Sequence, residues 1–410
     1  MEVISREGLT VKQFQTGCLS QFAYMISAGG VSVVIDPIRD IEDYLKTQNV
    51  YGDIKYIVET HYHADFVSGH VDLAEKTQAE IINGSTEFTP DQKVERDGVT
   101  FGRKIELGDY TLWFLNTPGH TLESVSIFLE SPEKEMLCVF TGDTLFLGDV
   151  GRPDLAQKGN GPSSEELASL LFDSCQLIKR VASNDTVIYP GHGAGSSCGK
   201  NISSGTSCTI GTQLTKNIPF SQSNKEDFIK IVTSDLPTPP SYFYDSVAKN
   251  KQEGIKSVDQ IITQAQSFPA NDIEKYVKDT GVWIIDTRPS EEFKAGHIPG
   301  SVSVPLGGNF AIWSAYLVHA SEGILLVTPK GKEEEAMTRL ARTGLDNILG
   351  YLEGGYEAWA SNKALPVESV SDLNFNDSKE FEQLVDGYKV FDVREPGEVR
   401  SAGLYQTAEK

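Results

Sequence analysis

The sequence predicts an α/β protein made of two complete units and the start of a third, and three observations predict it. At 410 residues the chain exceeds one ordinary domain. From residue 9 to about 192, short apolar runs alternate with turn residues and amphipathic stretches. The run VWIIDTR at 282–288 then returns as VFDVR at 390–394, an internal repeat.

Each element follows from composition and spacing. VSVVIDP, IKYIVET, TLWFLNTPG, MLCVFTGD and TVIYPGH read as strands, rich in Val, Ile and aromatics and stopped by Gly, Pro or Asp. IEDYLKT, VDLAEKT and 163–182 read as helices. The last opens with Ser163 three residues before Glu166, a capping box, and lines Leu167, Leu170, Leu171, Cys175 and Ile178 along one face. A Gly/Ser-rich loop fills 191–208, and 209–265 reads as helical and Pro-rich packing material. VWIIDTR and ILLVT (324–328) are buried strands flanked by helical patterns, a small doubly wound α/β domain. The expected divisions are 1–265, 266–370 and an incomplete 371–410, too short to close such a core alone.

Charge and cysteine usage exclude several functions. With 36 Lys and Arg against 58 Asp and Glu, the net charge of −22 repels phosphate backbones, so nucleic acid is not an expected partner. No apolar run approaches the roughly 20 residues that cross a bilayer, so no membrane association is expected. The N-terminus MEVISREGLTVKQF lacks a signal-peptide core and an Arg-rich presequence, which points to the cytoplasm. Five cysteines, none beyond residue 208, suit reduced thiols better than a disulfide framework. Cys138 and Cys175 fall on apolar faces and read as core residues; Cys18 has no assigned role.

The chemistry lies in where His and Asp fall. IVET leads to His61, FLNTPG to His120, CVFTG to Asp143 and VIYPG to His192, each just past a strand end. Sheets with such strands build sites there, because loops converge while the strands stay rigid. Five of the seven histidines lie in these segments. THYHADFVSGH sets His61, His63 and Asp65 at alternate positions, followed by His70, which opens a helix and reads as a capping or surface residue.

THYHAD, TPGHT, GDTLF and YPGHG, in this order and spacing, resemble the metallo-β-lactamase superfamily over about half the chain. The resemblance implies an αββα sandwich. In hydrolases of that family, such as glyoxalase II, the first motif reads His-x-His-x-Asp-His, and two metals share the aspartate matching Asp143. Here Phe66 stands where the final His belongs. A benzyl group donates no lone pair, so the second metal loses a ligand and gains an apolar wall. The remaining centre is one metal on His61, His120 and Asp143, the two-imidazole, one-carboxylate set associated with non-haem Fe(II) oxygenases. His63, Asp65 and His192 then orient those ligands by hydrogen bonds.

The Phe66 variant with this triad resembles the persulfide dioxygenase branch. It implies mononuclear Fe(II) and oxidation of a low-molecular-weight persulfide, of glutathione or coenzyme A, by O2 to sulfite and thiol. The alternative is a Zn-dependent glyoxalase II-like thioester hydrolase with the metal on His61, His63 and His120 and an activated water. The resemblance and the multi-domain build also suggest a homo-oligomer.

Around the substrate, GDTLFLGDVGRPDL resembles the dioxygenase stretch whose arginine approaches the thiol. Arg152 would clamp a carboxylate or phosphate, or else form an ion pair with Asp149 or Asp154. Cys198 resembles a loop cysteine of persulfide dioxygenase–rhodanese fusions and would relay sulfur at the site mouth, or stand by as a neutral thiol. Tyr189 and Lys200 are further pocket candidates.

VWIIDTRPSEEFKAGHIPGSVSVP and GYLEGGYEAW resemble a rhodanese domain over about 100 residues. Active rhodaneses carry a cysteine after the strand that matches ILLV, and here Thr328 follows it. A hydroxyl cannot hold a persulfide, and Pro329, Glu333, Glu334 and Glu335 spoil an anion cradle. An inactive, structural or channelling rhodanese-like domain is expected, with Asp286, Arg288 and His297 matching its scaffold. The tail with VFDVREPGE resembles the beginning of a second rhodanese, the order of fusions of the CstB type, without a catalytic cysteine.

Overall fold

A computed structural model describes residues 1–86, 88, 92–155, 161–252, 255–276, 281–372, 378–392, 399 and 408–409. Two mixed sheets form the first layer pair. The first sheet runs β1 (Glu2–Arg6), β2 (Leu9–Thr16), β3 (Gln21–Ala28), β4 (Val31–Ile35), β5 (Asp53–Glu59) and β6 (Glu80–Asn83) in spatial order. It is antiparallel up to β4 and parallel thereafter. After the hairpin β7 (Val94–Arg96) and β8 (Val99–Phe101) comes the second sheet. It comprises β9 (Arg103–Leu107), β10 (Tyr110–Asn116), β11 (Val125–Glu130), β12 (Met136–Gly142), β13 (Val187–Pro190) and β14 (Cys208–Thr209), in reverse spatial order.

Alternation within the strands explains the layering. Tyr24 and Ile26 of β3 meet Leu112 and Phe114 of β10 in one cluster between the sheets. The interleaved Ala23 and Met25 face Tyr44 and Leu73 of the covering helices, while Leu115 packs with Leu171, Cys175 and Ile178 of the helix Ser164–Val181. Both faces of each sheet are therefore apolar, which is why these strands read as continuous hydrophobic runs. The helix Ser164–Val181 starts with the expected capping box, Ser163 and Glu166 each bonding the other's backbone. The result is an αββα sandwich.

The third sheet is wholly parallel: β15 (Gln266–Phe268), β16 (Val282–Asp286), β17 (Val302–Ser303), β18 (Gly323–Val327) and β19 (Ile348–Leu352), in the order β15-β19-β18-β16-β17. Ile285, Ile324 and Leu326 face one cluster and Ile284, Leu325 and Val327 the other, so both faces are buried as in a doubly wound domain. The first of these clusters also holds Ala64, Leu155, Tyr242 and Phe243, so one apolar core joins the two domains.

Of the expected third unit, 373–377, 393–398, 400–407 and 410 lie outside the described residues. Its described parts are a helix, Ser378–Leu384, and the short parallel pair β20 (Val390–Phe391) and β21 (Ala408–Glu409). All five cysteines are free thiols. Among the described residues, no helix is long and apolar enough to cross a membrane.

Candidate metal centre

Strands β5, β10, β12 and β13 bring their following residues to one edge of the sandwich. There His61, His120 and Asp143 are all buried, with ligand atoms within 4.8 Å of one another. His61 Nε2 stands 3.7 Å and His120 Nε2 3.6 Å from Asp143 Oδ2. Gly142 makes room just before the aspartate, because a Cβ there would lie 2.5 Å from Thr60 Oγ1, and its φ of +48° suits glycine.

The other nitrogen of each ring shows which lone pairs are free. His120 Nδ1 lies 2.9 Å from the Arg152 carbonyl, which can only accept, so Nδ1 carries the proton. The Thr60 hydroxyl donates to Asp36 Oδ2 at 2.9 Å and so accepts from His61 Nδ1, also at 2.9 Å. Both rings therefore aim an unprotonated Nε2 at Asp143. His61 Nε2 and Asp143 Oδ2 are buried with no hydrogen-bond partner. Orphaned lone pairs converging in this way fit a divalent cation, with hydrogen bonds behind them fixing the tautomers.

His63 and His192 are committed elsewhere. His192 Nδ1 is 2.8 Å from Asp143 Oδ1, and its Nε2 is 2.8 Å from Asp65 Oδ2. Burial alone would lower its pKa, but Asp143 and Asp65 raise it well above the usual histidine range. Burial likewise pushes Asp143 up, yet His192, His61 and His120 bring it below the usual carboxylate range. His63 Nε2 faces Asp36 at 3.1 Å and Glu59 at 3.5 Å. Against burial, Asp36 first and then Glu59 lift it to about 9. Phe66 is fully buried, its ring centroid 4.2 Å from that of His63 and 6.4 Å from that of His192. His61 is held well below the usual range, by burial and then by His63.

Several expected residues lie differently. Arg152 is buried, and its guanidinium grips Asp154 through two bonds of 2.7 Å, with further bonds to the Ser197 and Pro237 carbonyls. The ion-pair reading is the one the structure adopts, and the residue meets His120 through its backbone carbonyl. Asp149 instead receives the backbone N–H groups of Lys200 and Asn201. Lys200 Nζ is held by the Ile231 and Ser234 carbonyls. It shares with Arg152, Pro237 and Tyr316 the wall of a cavity of about 780 Å³, whose lining includes none of the triad. Tyr189 is no pocket residue: it packs between the sheets against Phe140, and its hydroxyl reaches the Val3 carbonyl.

Cys198 sits deeper than a site mouth, buried beside Asp65 and His192. Burial, and then Asp65 and Asp143, raise its thiol well above the ordinary value. His70 does open a helix but is buried, 3.8 Å from Glu59, so the surface reading fails.

Asp36, Glu59 and Thr60 were not singled out from the sequence. Asp36 follows the apolar run VSVVI as Asp143 follows its own strand, so the same strand-end signal was present.

In the third sheet, Thr328 follows β18, buried with its hydroxyl unpartnered. Glu333 already accepts the Gly331 N–H at 3.2 Å, filling part of the would-be anion cradle. Asp286 and Arg288 pair at 2.6 Å, with the guanidinium stacked on Tyr356, and His297 stacks on Phe293. All three pair or pack within their own domain.

Comparisons with known proteins match both domains to families. The model of the metallo-beta-lactamase superfamily matches residues 16–192, and that of the rhodanese-like domain matches 269–362. The cytoplasmic isozyme of hydroxyacylglutathione hydrolase from Saccharomyces cerevisiae is 32% identical, over 39% of this chain and 58% of its own length. A hydroxyacylglutathione hydrolase from Pelagibacter ubique is 31% identical, over 43% of this chain and 68% of its own. The crystal structure of a metallo-beta-lactamase from Staphylococcus aureus superposes with a TM-score of 0.71 and 31% identity, covering 84% of this chain and 99% of that one.

Two predictions follow from the buried groups. Burial, then His63 and Arg39, lower His70 from 6.5 to about 4. The unfolded chain therefore binds a proton that the folded chain refuses as pH falls through this window. Metal-free protein should lose about 3 kcal/mol more than His70→Gln between pH 6.5 and 4, measured by urea unfolding. Parallel profiles would contradict the assignment. Thr328→Cys should not acquire strong thiosulfate:cyanide sulfur transfer, since Glu333 takes up part of the cradle with a negative charge; vigorous transfer would show the cradle intact.

Proposed function

The chain belongs to the metallo-β-lactamase superfamily, and from that premise we propose that it is a mononuclear Fe(II) persulfide dioxygenase. Phe66 carries this reading. Its buried ring stands where hydrolases of the superfamily place the last histidine of the first motif, and it packs against His63, which is turned to Asp36 and Glu59. With His192 spanning Asp143 and Asp65 as well, this reading places one ion on His61, His120 and Asp143, and leaves the neighbouring groups Asp65, His192 and Cys198 and Asp36, Glu59 and His63 as its surroundings.

Fe(II) held there would supply a redox centre where O2 and a persulfide anion react side by side. The chain's own groups do the rest. Thr60 and the Arg152 carbonyl keep both Nδ1 atoms protonated, and His192 orients the carboxylate of Asp143. Tyr242, Phe66 and Leu155, all buried, exclude bulk water from the neighbourhood. The reaction balances as one persulfide, one O2 and one water giving one thiol, one sulfite and two protons. The outer sulfur loses four electrons and O2 accepts them. The rhodanese-like domain, with Thr328 in the cysteine position, takes no part in this transfer.

A second reading is a Zn-dependent glyoxalase II-like thioester hydrolase. The hydroxyacylglutathione hydrolases among the relatives favour it.

The two readings part on oxygen. Purified protein given glutathione persulfide should consume O2 and form sulfite in equal amounts, and His120→Ala should abolish both. Oxygen-independent thiol release from an acylglutathione, without persulfide-dependent O2 uptake, would establish the hydrolase instead.

A further inference from the structure

The loop between His61 and His70 is held by a distant helix of its own domain and, at one point, by the rhodanese-like domain. Phe66, Val67 and Ser68 are fully buried. Asn250, at the end of the helix Phe243–Asn250, donates to the carbonyls of His63 and Phe66, both at 2.8 Å, and accepts the Ser68 N–H at 2.9 Å. The Val67 N–H goes to the Arg342 carbonyl at 2.7 Å, across the domain boundary.

The geometry of the helix Glu333–Arg342 makes that carbonyl available. The helix ends in a Schellman turn: Leu345 N–H bonds the Leu340 carbonyl and Gly344 N–H the Ala341 carbonyl, with Gly344 at φ +79°. A helix C-terminus leaves carbonyls unpaired and carries partial negative charge. The first domain takes up both. Arg39, its side chain wholly buried, donates to the Ala341 carbonyl at 3.1 Å and pairs with Asp346 at 2.7 Å. Lys249 reaches Asp346 and the Gly344 carbonyl, and Arg342 pairs with Asp40 at 2.6 Å. Ala64, between His63 and Asp65, shares its apolar cluster with Leu340, Ala341 and Leu345.

We infer that the rhodanese-like domain, with the connecting helix, braces the ligand loop, and that Asn250 and Asp346 are positioning residues for His61. A domain without a sulfur-carrying cysteine thereby has work to do for the other domain's site. The loop is pinned at Thr60 by Asp36 and at Ser68 by Glu59. Between those pins, its buried backbone groups at 63, 66, 67 and 68 find partners in residues 250 and 342. The inference rests on the proposed metal centre for its consequence, though not for the contacts.

Hydrogen exchange and Co(II) titration of the full chain test it, using Asn250→Ala and Asp346→Asn. In metal-free protein, amides of 61–69 should exchange at least about 10-fold faster than in wild type while those of β11 stay unchanged. Co(II) affinity should fall about 10- to 100-fold. Unchanged loop protection overturns the brace, and unchanged Co(II) affinity despite faster exchange overturns the positioning role. Should Asn250→Ala fail to fold, Asp346→Asn at the domain contact decides alone. A wild type that takes up no Co(II) refutes the metal centre rather than the brace, which the exchange measurement still decides.

Discussion

A buried imidazole has two nitrogens to satisfy, and the site depends on how four such rings share a small set of oxygens. His120 gives one nitrogen to a carbonyl and His61 gives one to a threonine hydroxyl, each leaving the other as a free lone pair. His63 and His192 turn toward carboxylates instead. In a low-dielectric interior, carboxylates and imidazoles so close share charge rather than remain separately ionised. The free nitrogens of His61 and His120 converge on Asp143, while His63 and His192 sit in two further groups of candidate donors beside it. Which histidines can bind a cation follows from hydrogen bonding behind the rings, more than from the motif's spelling.

The same loop belongs to two cores. Its backbone leaves β5 in the first sheet, yet Ala64 lies in the apolar cluster that fills one side of the parallel sheet. Tyr242 and Leu155, near the ligand loops, lie in that cluster too. Burying charge at the interface is costly unless each ion is paired, and Arg39 meets Asp346, with Asp72 at 3.8 Å. Fold and site are thus coupled through packing. Relative movement of the domains would disturb the loop before it disturbed the sheets.

Much of this was legible in the sequence because local rules governed it. His61, His120, Asp143 and His192 each follow an apolar strand, so their convergence could be read without coordinates. The helix Ser164–Val181 announced itself by Ser163, Glu166 and its apolar face. Tyr189 could not be placed, since β13 is buried on both faces and alternation there does not say which side holds the site. Arg152 was ambiguous because its partners combine Asp154, two residues away, with carbonyls at 197 and 237. Asn250 bonds a loop more than 180 residues earlier in the chain, and no local pattern marks such a contact. The burial of His70 was hidden for the same reason.

A centre for a single ion is what the proposed roles of Phe66, His63 and His192 would leave. Elemental analysis of the full chain, after saturation with iron and zinc supplied together and removal of the excess, tests it directly. One tightly held metal ion per chain is expected, iron in the active form. Two zinc ions per chain would contradict it.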